Sequence, residues 1–456
     1  MTDNNKSLKI YDTLRQQLRL FEPIVAGQVS FYVCGVTVYD YCHMGHARAY
    51  VAFDMMRRYL LACGYQVKYV QNFTDIDDKI ISRAQADNRT VDDVVSANID
   101  AYFEDMDALG ILRADQYPRA TAYIAQMITM IQKLVDTGYA YVTDHHDVCF
   151  SVDAFSEYGQ LSKKVLDELE SGSRVIADQA KKNPFDFVLW KPAKPGEPSW
   201  ESPWGKGRPG WHIECSAMVL ETLGKTIDIH GGGADLVFPH HENEIAQSQC
   251  YTGKPFVNYW VHNGFVTLKD EKMSKSIGNI FTVRDVLKQY SGSVLRFFLL
   301  KVHYRSPIQY SEAGLVEAQQ AFRRLVDTFK SVKQVAVDRQ AETDFETIRN
   351  RFHEAMSDDF NTAAAIGILF DLNKLIHKTQ SGTGVLKELG DILGIFYDLP
   401  SPEDTLPEDV LNLIEMRSQA KKDRQFDVAD QIRDELVTQY GIILEDTSAG
   451  VRWKKK

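Results

Sequence analysis

Two short stretches, His43-Met44-Gly45-His46 and Lys272-Met273-Ser274-Lys275-Ser276, carry the residue types that phosphoryl and nucleotidyl transfer requires. The first follows the apolar, β-branched run Val29 to Val33 and the pair Cys34-Gly35, and precedes a helix-period stretch from Ala47, so it is predicted to sit on a strand-to-helix turn. Backbone N–H groups and the positive dipole end at a helix start suit a phosphate. Two histidines three residues apart share one face of the first turn, so both imidazoles can donate to the same phosphoryl oxygens, while Gly45 leaves room for a base or ribose. The second stretch follows a predicted strand, Phe265 to Leu268, and precedes Ile277-Gly278-Asn279, so it reads as a mobile loop. Its lysines can neutralise a departing pyrophosphate, and such transfers need placed positive charge more than covalent help. Each stretch alone also fits a blander reading, a core histidine pair or a solvated lysine loop. The two in this order favour the phosphate chemistry.

A further set is Cys34, Cys215, His240 and Glu244. His240 and Glu244 are four apart after Pro239, a residue suited to a helix start, and should project from one helix face. Two thiolates, an imidazole and a carboxylate fit zinc. No CxxC supports the set, and spacing alone leaves open that both cysteines are small buried apolar residues and that the histidine caps the helix.

Together the two basic stretches resemble the paired signatures of the class I aminoacyl-tRNA synthetases, with Met44 in place of the usual isoleucine. Those enzymes activate an amino acid with ATP and pass it to tRNA. The stretches Tyr39 to His43, Asn72 to Lys79, Trp211 to Cys215, Gly231 to Gln247 and Trp260 to Asn279 extend the likeness, through nearly the whole chain, to the cysteinyl-tRNA synthetase family. The resemblance implies a cysteine-tRNA ligase. Cysteine and ATP would give cysteinyl-adenylate and pyrophosphate, and the cysteinyl group would then pass to the 3′ end of tRNA(Cys). It implies catalytic roles for His43 and His46 at the α-phosphate and for Lys272 and Lys275 at the pyrophosphate, with Gly45, Gly232, Asp235 and Lys275 contacting ATP. Cys34, Thr74, Trp211 and His240 fall where the family meets L-cysteine, and Cys34, Cys215, His240 and Glu244 where it holds one Zn2+ per chain; Mg2+ would accompany ATP. Read without the family, the glycines Gly231 to Gly233 fit a tight turn as well as a ligand approach, Trp211 fits a core residue and Thr74 a helix cap. Zinc would also answer a selection problem. A hydrophobic pocket separates cysteine from serine poorly, whereas soft sulfur outcompetes a hydroxyl at a metal.

These residues need a scaffold. With 456 residues, 44% hydrophobic and 25% charged, the chain is expected to be an α/β protein: a Rossmann-like parallel-sheet catalytic domain with an insertion, then a helical bundle domain and a small C-terminal mixed domain. Strands Val29–Val33 and Val67–Gln71 and helices from Ala47, Asp77 and Val91 would make the first half of the catalytic domain, residues 8–113. Residues 114–205 read as a connective insertion, 206–265 as the second half with the zinc candidates, and 266–310 as the lysine loop and a stem-contact region. Residues 311–398 read as a helical tRNA-binding domain, including helices Ala318–Lys330, Asp344–Met356 and Thr362–Lys378, and 405–456 as a small anticodon-binding domain after the linker Leu399 to Asp404. In that last segment, two helices, the second over Asp427–Gln439, and a strand at Ile442–Leu444 are predicted. Arg417, Lys421, Lys422 and Arg424 there fit a solvated helix face, offset by Asp423, Asp427, Asp430 and Asp434, or cations beside unstacked bases. The resemblance gives Phe426, where the family often has tryptophan, and Asp430 as anticodon contacts.

A formal charge of −11 runs mildly against RNA binding, although contact depends on local patches rather than net charge. The six cysteines are scattered and form no disulfide framework; Cys42, Cys63, Cys149 and Cys250 read as structural. The amino end shows no signal-peptide core, and the most apolar stretch, Val294 to Val302, contains Arg296 and is too short to span a bilayer. A cytoplasmic monomer without membrane contact is expected. Two rivals are an enzyme joining cysteine to a small amine through the same adenylation core, and a non-catalytic paralogue. Residues 405–456 argue against the first, and the intact histidines and lysines against the second.

Overall fold

Val29, Phe31, Tyr32 and Val33 are all buried, so their strand is covered on both faces, as in a parallel sheet. In the computed structural model of the chain, which describes residues 8–164, 181–268, 271–272, 281–332, 335–399, 408–423, 425–447 and 450–455, this strand is β1, Gln28–Thr37. It leads into α1, Met44–Ala62, then β2, Gln66–Thr74, and the helices α2, Asp78–Ala86, and α3, Val91–Ala108. After the insertion come α4, Trp211–Thr222, β3, Ile227–Gly233, α5, Glu242–Thr252, and β4, Val257–Asn263. The four strands form one parallel sheet in the order β4-β3-β1-β2. The chain leaves β1 toward β2 on one side and the later strands lie on the other, so a crevice opens at the carboxyl ends of β1 and β3, the usual ligand site of such sheets.

Between α3 and α4 lies an antiparallel sheet of Ala140–Val142, Val148–Phe150, Phe187–Pro192 and Gly207–Pro209, whose last strand lies past residue 205, the expected end of the insertion. Its Phe150, Leu189 and Trp190 share a buried cluster with Ile213 and Ala217 of α4 and Ala246 of α5, so this sheet props the helices that carry the metal candidates. Beyond β4, Val266–Leu268 pairs with Glu271–Lys272 and Ile308–Gln309. The following helices, Glu312–Ser331, Arg339–Ser357, Thr362–Thr379 and Thr383–Leu393, bury stripes at three- and four-residue spacing, such as Leu315, Ala318, Phe322 and Leu325. No helix among the described residues is long and apolar enough to cross a membrane.

Asp54 of α1 ties the sheet to this helical region. Its carboxylate pairs with Arg296, which is wholly buried and also donates to the Leu393 carbonyl at 2.8 Å, and with Arg58 at 2.7 Å. Burial alone would raise the Asp54 carboxyl, but the Arg296 and Arg58 guanidiniums outweigh it and hold it below the usual carboxylate value. Asp54→Ala would strand the Arg296 charge in the interior, and is expected to cost about 3–5 kcal/mol. The loss should show as a lower midpoint for the main unit in thermal or urea unfolding; an unchanged midpoint would mean the pair adds nothing.

Contacts divide the chain into residues 1–397 and 398–456. In the second unit, helices Glu408–Lys422 and Phe426–Tyr440 and the antiparallel pair Ile442–Thr447 and Gly450–Lys455 enclose Val410, Ile432, Leu436 and Ile442. The sequence reading differs from the structure at several elements. The second strand of that pair and the small hairpin Lys9–Asp12 with Gln17–Leu20 carry no signal in the sequence reading, whereas the helix Thr383–Leu393 falls within the span 311–398 read as helical. The glycines Gly231 to Gly233 form the end of β3 rather than a tight turn, each paired with β4.

Candidate active site and metal centre

His43 is the N-cap of α1, and the two histidines bind the helix start reciprocally. The Gly45 N–H donates to His43 Nδ1 at 3.1 Å, and the His43 N–H donates to His46 Nδ1 at 3.2 Å. The rings stack with centroids 3.8 Å apart. Because each Nδ1 accepts, each neutral ring carries its proton on Nε2, the atom remote from the backbone. Both are partly exposed at a cleft of about 210 Å³, which is also lined by Cys34, Gly45, Gly232 and Asp235. The first turn of α1 contains no acidic residue to compete for an anion. A side chain at Gly232 would meet the His241 ring, so glycine there keeps the cleft wall thin. The Lys272 backbone lies in the short strand paired with Val266–Leu268, whereas Lys275 lies outside the described residues.

Cys34, Cys215, His240 and Glu244 come together at the floor of this region, all buried, with one ligand atom from each within 4.8 Å of all the others. Their spacing fits zinc. The two sulfurs lie 3.8 Å apart, and tetrahedral bonds of about 2.3 Å would separate them by about 3.8 Å. The His240 Nε2 to Glu244 Oε1 distance of 3.0 Å brings these two side chains together, although Pro239 and His240 lie in a turn, Val237–His241, ahead of α5 rather than in the helix. A second group of four, Cys34, His230, His241 and Glu244, meets the same distance limit. It holds one sulfur rather than two, and its His241 to Glu244 distance is 4.0 Å. The charge pattern favours the first set. The hydrogen bond from Cys34 draws the Cys215 thiol down to about 6 against its burial. Burial opposes ionisation of Glu244, but His230 and His240 hold it at about 2. Burial likewise disfavours a charged His240, yet Glu244 and Cys215 raise it to about 10. Two buried anions therefore call for a cation, a place a metal fills without a proton on His240. By contrast His241 is pushed well below its ordinary value by burial and neighbouring imidazoles, and His262 is lowered to about 3 by burial.

Around this centre, Trp211 opens α4 and stacks on His240 with centroids 4.2 Å apart; at 39% exposure it is not a core residue. Thr74 ends β2 and caps no helix, since Asp77 caps α2; it donates to Glu214 Oε2 at 2.7 Å. Burial keeps the Glu214 carboxyl well above its usual value. The Gly35 N–H donates to Asn72 Oδ1 at 2.8 Å, and a side chain at Gly35 would run into the Asn72 carbonyl, which fixes the strand beside Cys34. Sequence reasoning did not single out His212, His230, His241, His262, Asn72 or Glu214. Signals existed for some: His212 and Glu214 flank Ile213 just before Cys215, and His241 follows His240 directly. In the second unit, Phe426 opens its helix at 59% exposure, and Asp430 pairs with Arg433 at 2.9 Å.

Comparison with known proteins adds the following. Residues 20–320 match the family described as the tRNA synthetases class I (C) catalytic domain, and residues 351–397 match the DALR domain. The cysteine–tRNA ligase of Alkalilimnicola ehrlichii is 49% identical, covering 98% of this chain and 100% of that protein. That of Methylobacillus flagellatus is 50% identical with the same coverages. Among solved structures, Mycobacterium tuberculosis methionyl-tRNA synthetase with methionyl-adenylate superposes with a TM-score of 0.61 at 15% identity, covering 88% of this chain and 96% of that one. The Agrobacterium radiobacter LeuRS–tRNA–LeuAMS complex gives 0.59 at 11% identity, covering 82% and 84%. These two share the fold.

Proposed function

The chain belongs to the cysteine–tRNA ligases, class I aminoacyl-tRNA synthetases, and on that premise we propose how its residues divide the work. The enzyme activates L-cysteine with ATP to cysteinyl-adenylate and transfers the cysteinyl group to the 3′ end of tRNA(Cys). Full-length likeness to such ligases favours tRNA over a small amine as acceptor.

The observation that carries the residue assignment is the cleft at the sheet's carboxyl edge, where the stacked His43 and His46 meet the start of α1. The two Nε2–H groups and the helix dipole are aimed at the negative charge that grows on the α-phosphate, while Gly45, Gly232 and Asp235 receive the adenosine. Lys272 and Lys275 neutralise the leaving pyrophosphate, and Mg2+ would accompany the ATP phosphates. Cys34, Cys215, His240 and Glu244 would hold zinc, which would supply a soft Lewis acid that prefers a thiol to serine's hydroxyl. Thr74 and Trp211, each fixed by a buried partner, orient the amino acid beside Cys34 and His240. Residues 311–398 take the tRNA body, and 405–456, with Phe426 and Asp430, read the anticodon. The catalytic domain is built from residues 8–113 and 206–265, with 114–205 as its insertion and 266–310 as its lysine-loop and stem-contact region. We place the enzyme in the cytoplasm as a monomer; its six unbridged cysteines suit a reducing compartment.

The test is cysteine-dependent ATP–pyrophosphate exchange, with serine as competitor, on metal-replete and chelated protein. Metal removal is expected to erase the preference for cysteine. Lys275→Ala should slow exchange by about two orders of magnitude or more, the scale of one preorganised charge, with metal content unchanged. Exchange at the wild-type rate would take that lysine out of the ATP site.

A further inference from the structure

The histidine turn does not rest on α1 alone. The Met44 N–H donates to the Phe281 carbonyl at 3.1 Å and the Val283 N–H donates to the Cys42 carbonyl at 2.9 Å, which makes His43 and Thr282 an antiparallel bridge pair. Two backbone hydrogen bonds by themselves hold such a bridge weakly. The residue that follows it, Arg284, ties it to α3. Its guanidinium meets the Asp105 carboxylate at 3.0 Å, the Glu104 carboxylate at 2.6 Å and the Ala101 carbonyl at 3.0 Å, and lies 4.7 Å from the centre of the Tyr41 ring. One guanidinium therefore touches α3 and the histidine turn at once. Asp105 is 2% exposed, and its Oδ2 has no hydrogen-bond partner. A carboxylate buried in that way is costly unless a cation sits on it, and the adenylation chemistry makes no use of it.

We propose that Arg284, seated on Asp105, is a positioning residue for His43, holding the bridge through Cys42, His43 and Met44 against α3 so that the His43 imidazole keeps its place at the cleft. This rests on the reading of His43 as a ligand of the α-phosphate. The phosphate sees only the imidazoles, and a displacement of about 1 Å at a reacting centre can cost about a hundredfold in rate. An ion pair that merely stabilised the fold would lower the unfolding temperature without acting through His43.

The experiment compares pyrophosphate exchange by the full-length, metal-replete enzyme with that of Arg284→Met, His43→Asn and the double variant. Asparagine keeps the N-cap while removing the imidazole, so the turn survives in the second variant. Arg284→Met is expected to lower kcat by about tenfold or more, with the KM for cysteine changed less than about twofold, because the interaction lost is made in the transition state. The double variant should be no slower than His43→Asn alone, since an arginine that acts through the imidazole has nothing further to lose. Arg284→Lys, which returns a cation to Asp105, should recover part of kcat, and Asp105→Asn should repeat the Arg284→Met pattern. If Arg284→Met does not fold, those two variants carry the same comparison with His43→Asn. Losses that multiply in the double variant, or a lower unfolding temperature at unchanged kcat, would overturn the positioning role. Wild-type exchange by His43→Asn would instead overturn the phosphate reading beneath it.

Discussion

Cys215→Ser is expected to lose most of the bound zinc and, with it, the preference for cysteine over serine. Wild-type protein should carry about one zinc per chain by elemental analysis. Serine is close to cysteine in volume, so the packing around a residue only 2% exposed is largely kept, while the soft thiolate is replaced by a hydroxyl that does not ionise at neutral pH. Removing one of two sulfurs 3.8 Å apart leaves one thiolate, one imidazole and one carboxylate, a poorer set for zinc. The variant also decides between the two overlapping groups of side chains. In the favoured set His230 serves only to hold Glu244, through the 2.8 Å contact from Nε2 to Oε2, so His230→Gln should weaken zinc by about 10–100-fold rather than abolish it. Stoichiometric zinc retained by Cys215→Ser, together with loss in His230→Gln, would assign the metal to Cys34, His230, His241 and Glu244.

What the sequence disclosed follows from how local each signal is. His43 and His46 are three apart and His240 and Glu244 four apart, spacings that keep each pair close across a helix start, and the structure has both pairs in contact. The run Val29 to Val33 is apolar without alternation, the mark of a strand covered on both faces, and it was legible; its continuation to Thr37 was not, because the register with β2 shifts between Val33 and Val36. The meeting of Cys34 with Cys215 has no local signal and came from family likeness. The same holds in reverse for His230 and His262, each set among apolar residues near the end of a strand that also carries Asp228 or Asn258 and Asn263. Their roles emerge only in the fold, where His230 meets Glu244 and His262 meets His241, each at 2.8 Å. Thr74 misled as a possible cap because Asp77, three residues on, does that work. The four-residue strands of the hairpin from Lys9 to Leu20 turn at Gln16 with φ of 53°, where glycine or asparagine would have advertised the turn.

Deleting residues 405–456 is expected to separate the two half-reactions. Aminoacylation of tRNA(Cys) should be abolished or severely weakened, while cysteine-dependent pyrophosphate exchange continues, because the residues assigned to adenylation end at Lys275 in a different unit. The deleted segment encloses its own hydrophobic cluster, Val410, Ile432, Leu436 and Ile442, so a truncated enzyme should keep its zinc and its unfolding midpoint. Phe426→Ala tests the same assignment without removing any fold. At 59% exposure the ring contributes little to packing, and if it stacks on an anticodon base its loss should cost about 1–3 kcal/mol, or roughly fivefold to a hundredfold in kcat/KM for tRNA(Cys). The pyrophosphate exchange rate of that variant should stay at the wild-type value, and the weakening should appear in KM for tRNA(Cys) more than in kcat, since the contact is remote from the transferred cysteinyl group. A well-folded truncated enzyme that charges tRNA(Cys) as efficiently as the full chain would refute the anticodon assignment, and the terminal unit would then need a role outside tRNA recognition.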